Sequence, residues 1–323
     1  MKAAYAIYTG RMHAENQAEC QDFAMAYHDP NLSAIGVSDG CTNAEYGKEG
    51  AQLSVEAALE FVADTDNWHK PEREDIINSL VDAILAKFKA SGYPIDELSA
   101  TLCVAAIKAD GEYLVISIGD STVIAYNNKL EPMPMMKPYN SGNKSCTVFT
   151  KDREGCVEHG KVAYFNLDSD DFAGFAIYTD GCEGMFSKKL YEGGRLLRQA
   201  AAHTVLEDDP DYFTTLMRRI AETETNDDVS LAILLREDEA LIQKAGKILR
   251  EPEPDTDETQ DTEPDPHPIM YRALLKALAD HPMTPQELTN GGYVPSGKIL
   301  ETLMPLIKDN TIRWEDGAFY LSV

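Results

Sequence analysis

The sequence predicts an α+β fold in which antiparallel sheets are covered by helices. Short apolar runs typical of strands occur in clusters, and segments with apolar residues three and four positions apart, typical of helices, lie between these clusters. This grouping favours antiparallel sheets over the regular alternation of strand and helix found in parallel folds. Hydrophobic residues make up 43% of the 323 residues, which is enough for a packed core.

The individual elements follow from the same patterns. Strands are predicted at 3–9, 22–28, 33–38, 100–107, 113–118, 122–126, 174–179 and 229–235. Helices are predicted at 47–63, 72–90, 193–204, 210–222 and 238–249. The stretch 131–170 is polar and rich in proline and glycine, so we expect it to form a long loop beside the functional site.

An acidic stretch divides the chain into three parts. Residues 251–265 contain eight acidic residues, several prolines and no basic residue, which predicts an extended, disordered linker. We expect a large folded domain at 1–250 and a small domain at 266–323. In the small domain, three helices, the second with Thr284 as its N-cap, precede a hairpin that turns at Asp316-Gly317. This order resembles a winged-helix domain, and a charge near zero favours protein binding over DNA binding.

Charge and hydropathy limit the partners of the whole chain. A formal net charge of −26 argues against a nucleic-acid partner, because such affinity is built largely from Lys and Arg. No apolar stretch is long enough for a membrane span, and the first residues lack the apolar core of a signal peptide. We therefore expect a cytoplasmic protein whose six cysteines stay reduced.

Aspartates at strand ends give the clearest chemical signal. Asp39, Asp120 and Asp180 follow predicted strands, and Asp227 precedes one. We expect their carboxylates to meet at one rim of the fold, where mutual repulsion raises their pKa values unless cations are present. Oxygen ligands of this kind suit Mg²⁺ or Mn²⁺. Each aspartate taken alone is equally well explained as a turn or cap residue.

One turn occurs twice in the sequence. Ser-Asp-Gly-Cys at 38–41 returns as Thr-Asp-Gly-Cys at 179–182. Asp-Gly is ordinary turn chemistry, because Asp bonds its own backbone and Gly accepts a positive φ. If both turns belong to one site, Cys41 and Cys182 lie near its ions; otherwise they are small buried residues after a turn.

Several motifs occur in an order typical of one enzyme family: CQDF (20–23), VSDG (37–40), SATLCVAAI (99–107), ISIGDS (116–121), IYTDG (177–181) and NDDVSLAIL (226–234). Over residues 3–236 the chain resembles the metal-dependent serine/threonine protein phosphatases of type 2C, in a divergent bacterial branch. The resemblance implies a four-layer αββα sandwich with a metal centre between two antiparallel sheets. It also implies hydrolysis of phosphoserine and phosphothreonine on proteins by a metal-activated water, with a phosphoprotein substrate and a cognate serine/threonine kinase as partners.

The resemblance assigns metal-binding roles to particular residues. Asp39 would bridge two Mg²⁺ or Mn²⁺ ions, and Asp22 would act through a metal-bound water. Asp120 would help Asp180 to bind a third, weaker ion. The full set implied by the match is Asp22, Asp39, Gly40, Asp120, Asp180 and Asp227.

The chain also departs from the family pattern. Gln17 stands where the family commonly has Arg, and Gln21 stands where many members have Glu. His13 or Arg11 could supply the missing phosphate contact through charge-assisted bonds, or both could be exposed loop residues. The proton donor could be His13, Cys41 or a metal-bound water. These departures leave an alternative, a pseudophosphatase that binds and signals through its C-terminal domain.

Overall fold

The computed structural model describes most of the large N-terminal part and a few segments of the C-terminal part. It describes residues 1–250 except 66–67, 69–70, 137–139, 142–143, 146–148, 188–189, 208 and 210, and then residues 278, 282–284, 287–288, 303, 312–315 and 318–321. The predicted linker at 251–265 and most of the predicted C-terminal helices lie outside the described residues.

Two five-stranded antiparallel sheets form the centre of the large unit. The first has the order β1, β12, β11, β6, β7, and its strands are Lys2–Tyr8 (β1), Val229–Leu235 (β12), Phe172–Tyr178 (β11), Thr122–Asn127 (β6) and Pro132–Met136 (β7). The second has the order β10, β5, β4, β3, β2, and its strands are Lys161–Asn166 (β10), Glu112–Ile118 (β5), Leu102–Lys108 (β4), Leu32–Ser38 (β3) and Phe23–His28 (β2). A short hairpin joins Asn140–Ser141 (β8) to Lys144–Ser145 (β9).

Helices cover the outer face of each sheet. In chain order the helices are Arg11–Glu15 (α1), Gly47–Asp64 (α2), Arg73–Ser91 (α3), Arg153–His159 (α4), Leu167–Asp170 (α5), Glu183–Phe186 (α6), Leu190–Leu206 (α7), Tyr212–Thr223 (α8) and Glu239–Ile248 (α9). The buried residues of α7, α8 and α9 pack on the first sheet, and those of α2 and α3 pack on the second. The result is the four-layer αββα sandwich that the resemblance implies.

Side chains alternate between the two faces of each central strand. In β11, Phe175 and Ile177 lie in the core between the sheets, whereas Ala176 and Tyr178 pack against the helices. Both faces are therefore buried, and the strand appears in the sequence as one continuous apolar run. An apolar run of this kind locates the strand in the sequence but does not show which of its faces lies against the other sheet and which lies against the helices.

The predicted long loop at 131–170 is wrong over much of its length. It contains the edge strands β7 and β10 and the helix α4. Pro132 and Pro134 disguise β7, since proline cannot donate to a ladder and is tolerated mainly in edge strands. Helix α4 begins at a proper N-cap, where Asp152 Oδ1 accepts a hydrogen bond from Gly155 N at 3.1 Å. The other predicted helices and strands of residues 1–250 occur, with ends that differ by up to three residues.

The C-terminal part agrees with the prediction where it is described. Ile312–Glu315 (β13) pairs with Ala318–Leu321 (β14), leaving two residues for the turn of the predicted hairpin. Thr284 is the predicted N-cap: Glu287 N donates to its Oγ1 at 3.3 Å, and Thr284 N donates to Glu287 Oε2 at 2.7 Å. The winged-helix assignment stays a prediction.

The chain divides into two compact units, Met1–Asp257 and Glu258–Val323. The boundary falls within the stretch 251–265 that composition marks as a linker. Among the described residues, no helix combines the length and the apolar character needed to cross a membrane.

The core between the sheets gives a prediction for stability. Phe175 is fully buried there, with ring centroids 5.0 Å from Tyr113 and 6.0 Å from Phe172. Replacement by Ala removes these contacts and leaves a cavity, so we expect Phe175→Ala to lower the free energy of unfolding by about 3 to 5 kcal/mol. Urea unfolding monitored by circular dichroism measures this change.

Phe165→Ala is the matched control, because Phe165 lies on an edge strand and is 47% exposed. Its loss should cost less than about 1 kcal/mol. Equal costs for the two variants would contradict the packing described between the sheets.

Candidate functional site

The aspartates singled out in the sequence lie at one end of the sandwich. Phe23 pairs with Ser38, so Asp22, which precedes β2, lies beside Asp39, which follows β3. Gly40 N donates to the Gln21 carbonyl at 3.2 Å and so links the same two chain segments. On the other sheet, Tyr178 is paired with Leu231, which places Asp180 after β11 near the start of β12, where Asp227 lies. Strand register within each sheet therefore brings these aspartates together in pairs.

We call Asp22, Asp39, Asp120, Asp180 and Asp227 the carboxylate cluster. Burial raises the pKa of Asp39 well above its ordinary value, and the charges of Asp22, Asp180, Asp227 and Asp120 raise it further. Asp39 is thus within electrostatic reach of every other member of the cluster. The two sheets contribute to one set of like charges, as the sequence analysis anticipates.

The pKa values of Asp22, Asp180 and Asp227 are raised for similar reasons. Burial, followed by the charges of Asp120 and Asp227, raises the pKa of Asp180 to about 7. Burial is also the largest cause of the raised pKa of Asp22, which is 4% exposed. Asp227 shows the same direction, again mainly through burial. Carboxyls of this kind favour the neutral form unless a cation stabilises their charge.

Each of the two Asp-Gly turns needs its glycine for a steric reason that is not visible in the sequence. A Cβ at Gly40 would lie 2.4 Å from the Gly47 carbonyl oxygen, and a Cβ at Gly181 would lie 1.9 Å from the Asp228 carbonyl oxygen. Neither glycine has a positive φ, so the expectation based on that conformation is wrong. Glycine is needed in both turns because another backbone passes where a side chain would stand.

Hydroxyl groups hold two of the aspartates in place. Thr179 Oγ1 donates to Asp22 Oδ2 at 2.7 Å, and Asp39 N donates to Thr101 Oγ1 at 3.0 Å. Both threonines are fully buried. Neither threonine was predicted as a site residue, although Thr101 lies within the motif SATLCVAAI and Thr179 within the motif IYTDG.

Asp228 is the most important residue that the sequence analysis left without a role. It is 2% exposed and accepts hydrogen bonds from Gly10 N and Gln21 N, both at 2.7 Å. Its Oδ2 also lies 2.8 Å from His13 Nδ1. One buried carboxylate thus joins β12, the turn after β1, and the segment that leads to Asp22.

The two candidate phosphate-binding residues lie on α1 but in different surroundings. His13 is 6% exposed, so the expectation of an exposed loop histidine is wrong. Arg11 is exposed, and its Nε donates to Asn226 Oδ1 at 3.0 Å. Both side chains are therefore anchored to the loop that carries Asp227.

The replaced residues occupy contrasting positions. Gln17 is exposed and has a left-handed φ of 54°. The Oε1 atom of Gln21 is buried, and no hydrogen-bond partner for it is found among the described residues.

The cysteines that follow the two Asp-Gly turns differ in exposure. Cys182 is fully buried and donates from Sγ to the Ser230 carbonyl oxygen at 3.5 Å, whereas Cys41 is partly exposed.

The donor set fits a hard divalent cation in its chemistry. Carboxylate oxygens, the Gly40 carbonyl and the unpartnered Gln21 Oε1 are the ligand types that Mg²⁺ and Mn²⁺ prefer. Within the described part of the chain, no three Asp, Glu, His or Cys side chains are placed so that they enclose one ion. The cluster therefore matches such an ion in charge and ligand type.

Comparisons with known proteins agree with this fold. The family model of Protein phosphatase 2C matches residues 9–233. No curated protein matches the chain. Similar solved structures include a bacterial serine phosphatase, with 14% identity over 74% of this chain and 99% of that chain at a TM-score of 0.54.

Two further structures show the same fold. The serine/threonine phosphatase Stp1 from Staphylococcus aureus is 12% identical over 74% of this chain and 96% of its own, with a TM-score of 0.54. The serine/threonine phosphatase of S. agalactiae is 15% identical over 73% of this chain and 99% of its own, with a TM-score of 0.50. Because the family model covers more than half of the residues, this chain belongs to the protein phosphatase 2C family.

Proposed function

We propose that the chain hydrolyses phosphoserine and phosphothreonine on proteins and depends on at least two Mg²⁺ or Mn²⁺ ions. The observation that carries this proposal is the position of Asp39, which lies within electrostatic reach of four other buried or half-buried carboxyls from both sheets. Such a concentration of like charge is unfavourable for the protein alone and becomes favourable when cations bind. Membership of the protein phosphatase 2C family supports the same reaction.

Particular residues would hold the ions. Asp39 and the Gly40 carbonyl would bind on the side of the second sheet, and Asp180 with Asp227 on the side of the first. Asp22 would act through a bound water, and Asp120 would help Asp180 with a third ion. When bound, two such ions lower the pKa of a shared water and stabilise charge on the phosphoryl group. Thr179 and Thr101 keep Asp22 and Asp39 in place for this task.

Arg11 and His13 are the residues that we assign to the substrate phosphate. Asn226 takes up one edge of the Arg11 guanidinium, through Nε and Nη2, which leaves Nη1 for an anion. His13 belongs to the same short helix and lies within electrostatic range of Asp227. The two residues would together take the place of the arginine that the family commonly has at the position of Gln17.

The wider setting is part of the proposal. A phosphoprotein substrate requires a serine/threonine kinase that makes it, and the weakly charged C-terminal unit would bind protein. The five described cysteines are free, which supports a reducing, cytoplasmic setting. The pseudophosphatase alternative has no specific observation in its favour in the described part of the chain.

Phosphatase activity should depend on the carboxylate cluster and on Arg11. With millimolar Mn²⁺ and a phosphopeptide, we expect Asp39→Ala to lower kcat/KM by about a hundredfold or more, because the central carboxylate of the cluster is lost. Arg11→Ala should raise KM by about tenfold and change kcat less, since a phosphate contact present before the reaction is removed. Steady-state kinetics of phosphate release measure both effects.

Asp75→Asn is the control, because Asp75 is an exposed acid on α3 and should leave the rate unchanged. A folded wild-type chain that releases no phosphate, or an Asp39→Ala variant with normal turnover, would contradict the proposed reaction. The first of these results would favour the pseudophosphatase.

The stability of the metal-free chain should depend on pH. The pKa of Asp180 is raised from 3.8 to about 7, so the folded state binds more protons than the unfolded state in this range. Stability of the metal-free chain should therefore fall as the pH rises from about 4 to about 7. Thermal unfolding in EDTA measures this slope, and saturating Mn²⁺ should remove it because cations stabilise the ionised cluster.

Two variants check the source of the slope. Asp180→Asn should reduce the slope in EDTA, to which Asp22 and Asp39 still contribute, whereas Asp75→Asn should leave it unchanged. A metal-free wild type whose unfolding temperature stays level or rises across this range would contradict the raised pKa values.

A further inference from the structure

The environment of Asp228 points to a role beyond holding loops together. Three nitrogen atoms lie at hydrogen-bond distance from this one side chain: Gly10 N donates to Oδ1 at 2.7 Å, Gln21 N donates to Oδ2 at 2.7 Å, and His13 Nδ1 lies 2.8 Å from Oδ2. A carboxylate can accept all three bonds, whereas the amide of asparagine has a single acceptor oxygen and would turn an N–H₂ towards a donor. The arrangement is therefore specific for aspartate.

The contact with Asp228 determines where the proton of His13 lies. Both oxygens of Asp228 already accept hydrogen bonds from backbone N–H groups, so the side chain is arranged as an acceptor, and the contact with His13 favours a proton on Nδ1. The two side chains are 7% and 1% exposed, so little water competes for this bond. The contact with Asp228 through Nδ1 is the side-chain hydrogen bond found for His13 among the described residues, and none is found for the opposite ring nitrogen, Nε2.

The surrounding backbone holds this pair next to the carboxylate cluster. Met12 N donates to the Asn226 carbonyl at 3.0 Å, and Asp228 N donates to Asp227 Oδ1 at 3.0 Å. A Cβ at Gly10 would lie 2.1 Å from the carbonyl carbon of Asp227, so α1 begins in direct contact with the loop. His13 is therefore placed by the same loop that places Asp227.

We propose that Asp228 is a positioning residue for His13, which keeps the proton on Nδ1 and presents Nε2 to the phosphoryl group of the substrate. The inference rests on the proposed function, since it assigns a substrate contact to the same site. The two backbone bonds of Asp228 anchor the loops, and the third bond orients the imidazole.

The first test reads the proton of His13 without any metal or substrate. The full-length, metal-free chain is labelled with ¹⁵N-histidine, and His13 is assigned by the signal that disappears in His13→Gln. We expect a protonated Nδ1 in the wild type. In Asp228→Asn the amide can donate to Nδ1, so the proton should move to Nε2. An unprotonated Nδ1 in the wild type would overturn the proposal, even if Asp228→Asn failed to fold.

The second test is a double-mutant cycle on phosphatase activity. We expect Asp228→Asn and His13→Gln each to lower kcat/KM by about tenfold or more. Because the contribution of Asp228 to the reaction is exerted mainly through His13, adding Asp228→Asn to His13→Gln should change kcat/KM by much less than the same substitution changes it in the wild type. Equal effects of Asp228→Asn in both backgrounds would show that it acts independently of His13 and would overturn the proposal.

Asp29→Asn is the matched control, because Asp29 also accepts three hydrogen bonds, from Tyr27 Oη, Asn31 N and Leu32 N at 2.7 to 2.9 Å. It lies after β2, at the other end of the sandwich, and should change stability but not kcat/KM. An inactive wild type would overturn the proposed function and, with it, the part of His13 in the reaction. An active wild type with normal turnover in Asp228→Asn would overturn this inference alone.

Discussion

Like-charged carboxyls from both sheets are held close together and largely away from water at one end of the sandwich. Burial raises the pKa values of Asp22, Asp39 and Asp180, and each of these charges also acts on its neighbours. A protein selected only for stability would not collect such groups at the ends of its central strands. The two sheets between the helix layers provide a rigid base that keeps the carboxylates together, and divalent ions would convert their repulsion into binding energy.

The backbone around the cluster is packed as closely as the core. Gly40 and Gly181 allow neighbouring chain segments to pass where any side chain would clash. Thr179, which directly follows β11, donates a hydrogen bond to Asp22, which precedes β2 of the other sheet. These contacts are made by small residues with few rotatable bonds, which limits how far the carboxylates can move. Precise placement is what catalysis by fixed charges requires, since reorganisation at the moment of reaction would cost free energy.

The loop Asn226–Asp228 connects the carboxylate cluster, which follows the family pattern, to Arg11 and His13, which would stand in for the arginine of that pattern. Asn226 anchors Arg11, Asp227 belongs to the carboxylate cluster, and Asp228 anchors His13. Three consecutive residues thus place a cation, a carboxyl of the cluster and an imidazole side by side. The loss of arginine at position 17 is in this way accompanied by two other cationic or proton-bearing groups held beside the cluster.

Most strands, the covering helices and the positions of the acids at strand ends can be predicted from the sequence, because apolar patterns and strand termini are local properties of the chain. The two Asp-Gly turns and the C-terminal hairpin are also visible there. Three features depend on contacts between distant segments: Pro132–Met136 is an edge strand, the glycines allow close backbone contact, and His13 is buried against Asp228. His13 and Asp228 are 215 positions apart, and no local pattern carries information about a contact that forms only when the strands of both sheets are in register.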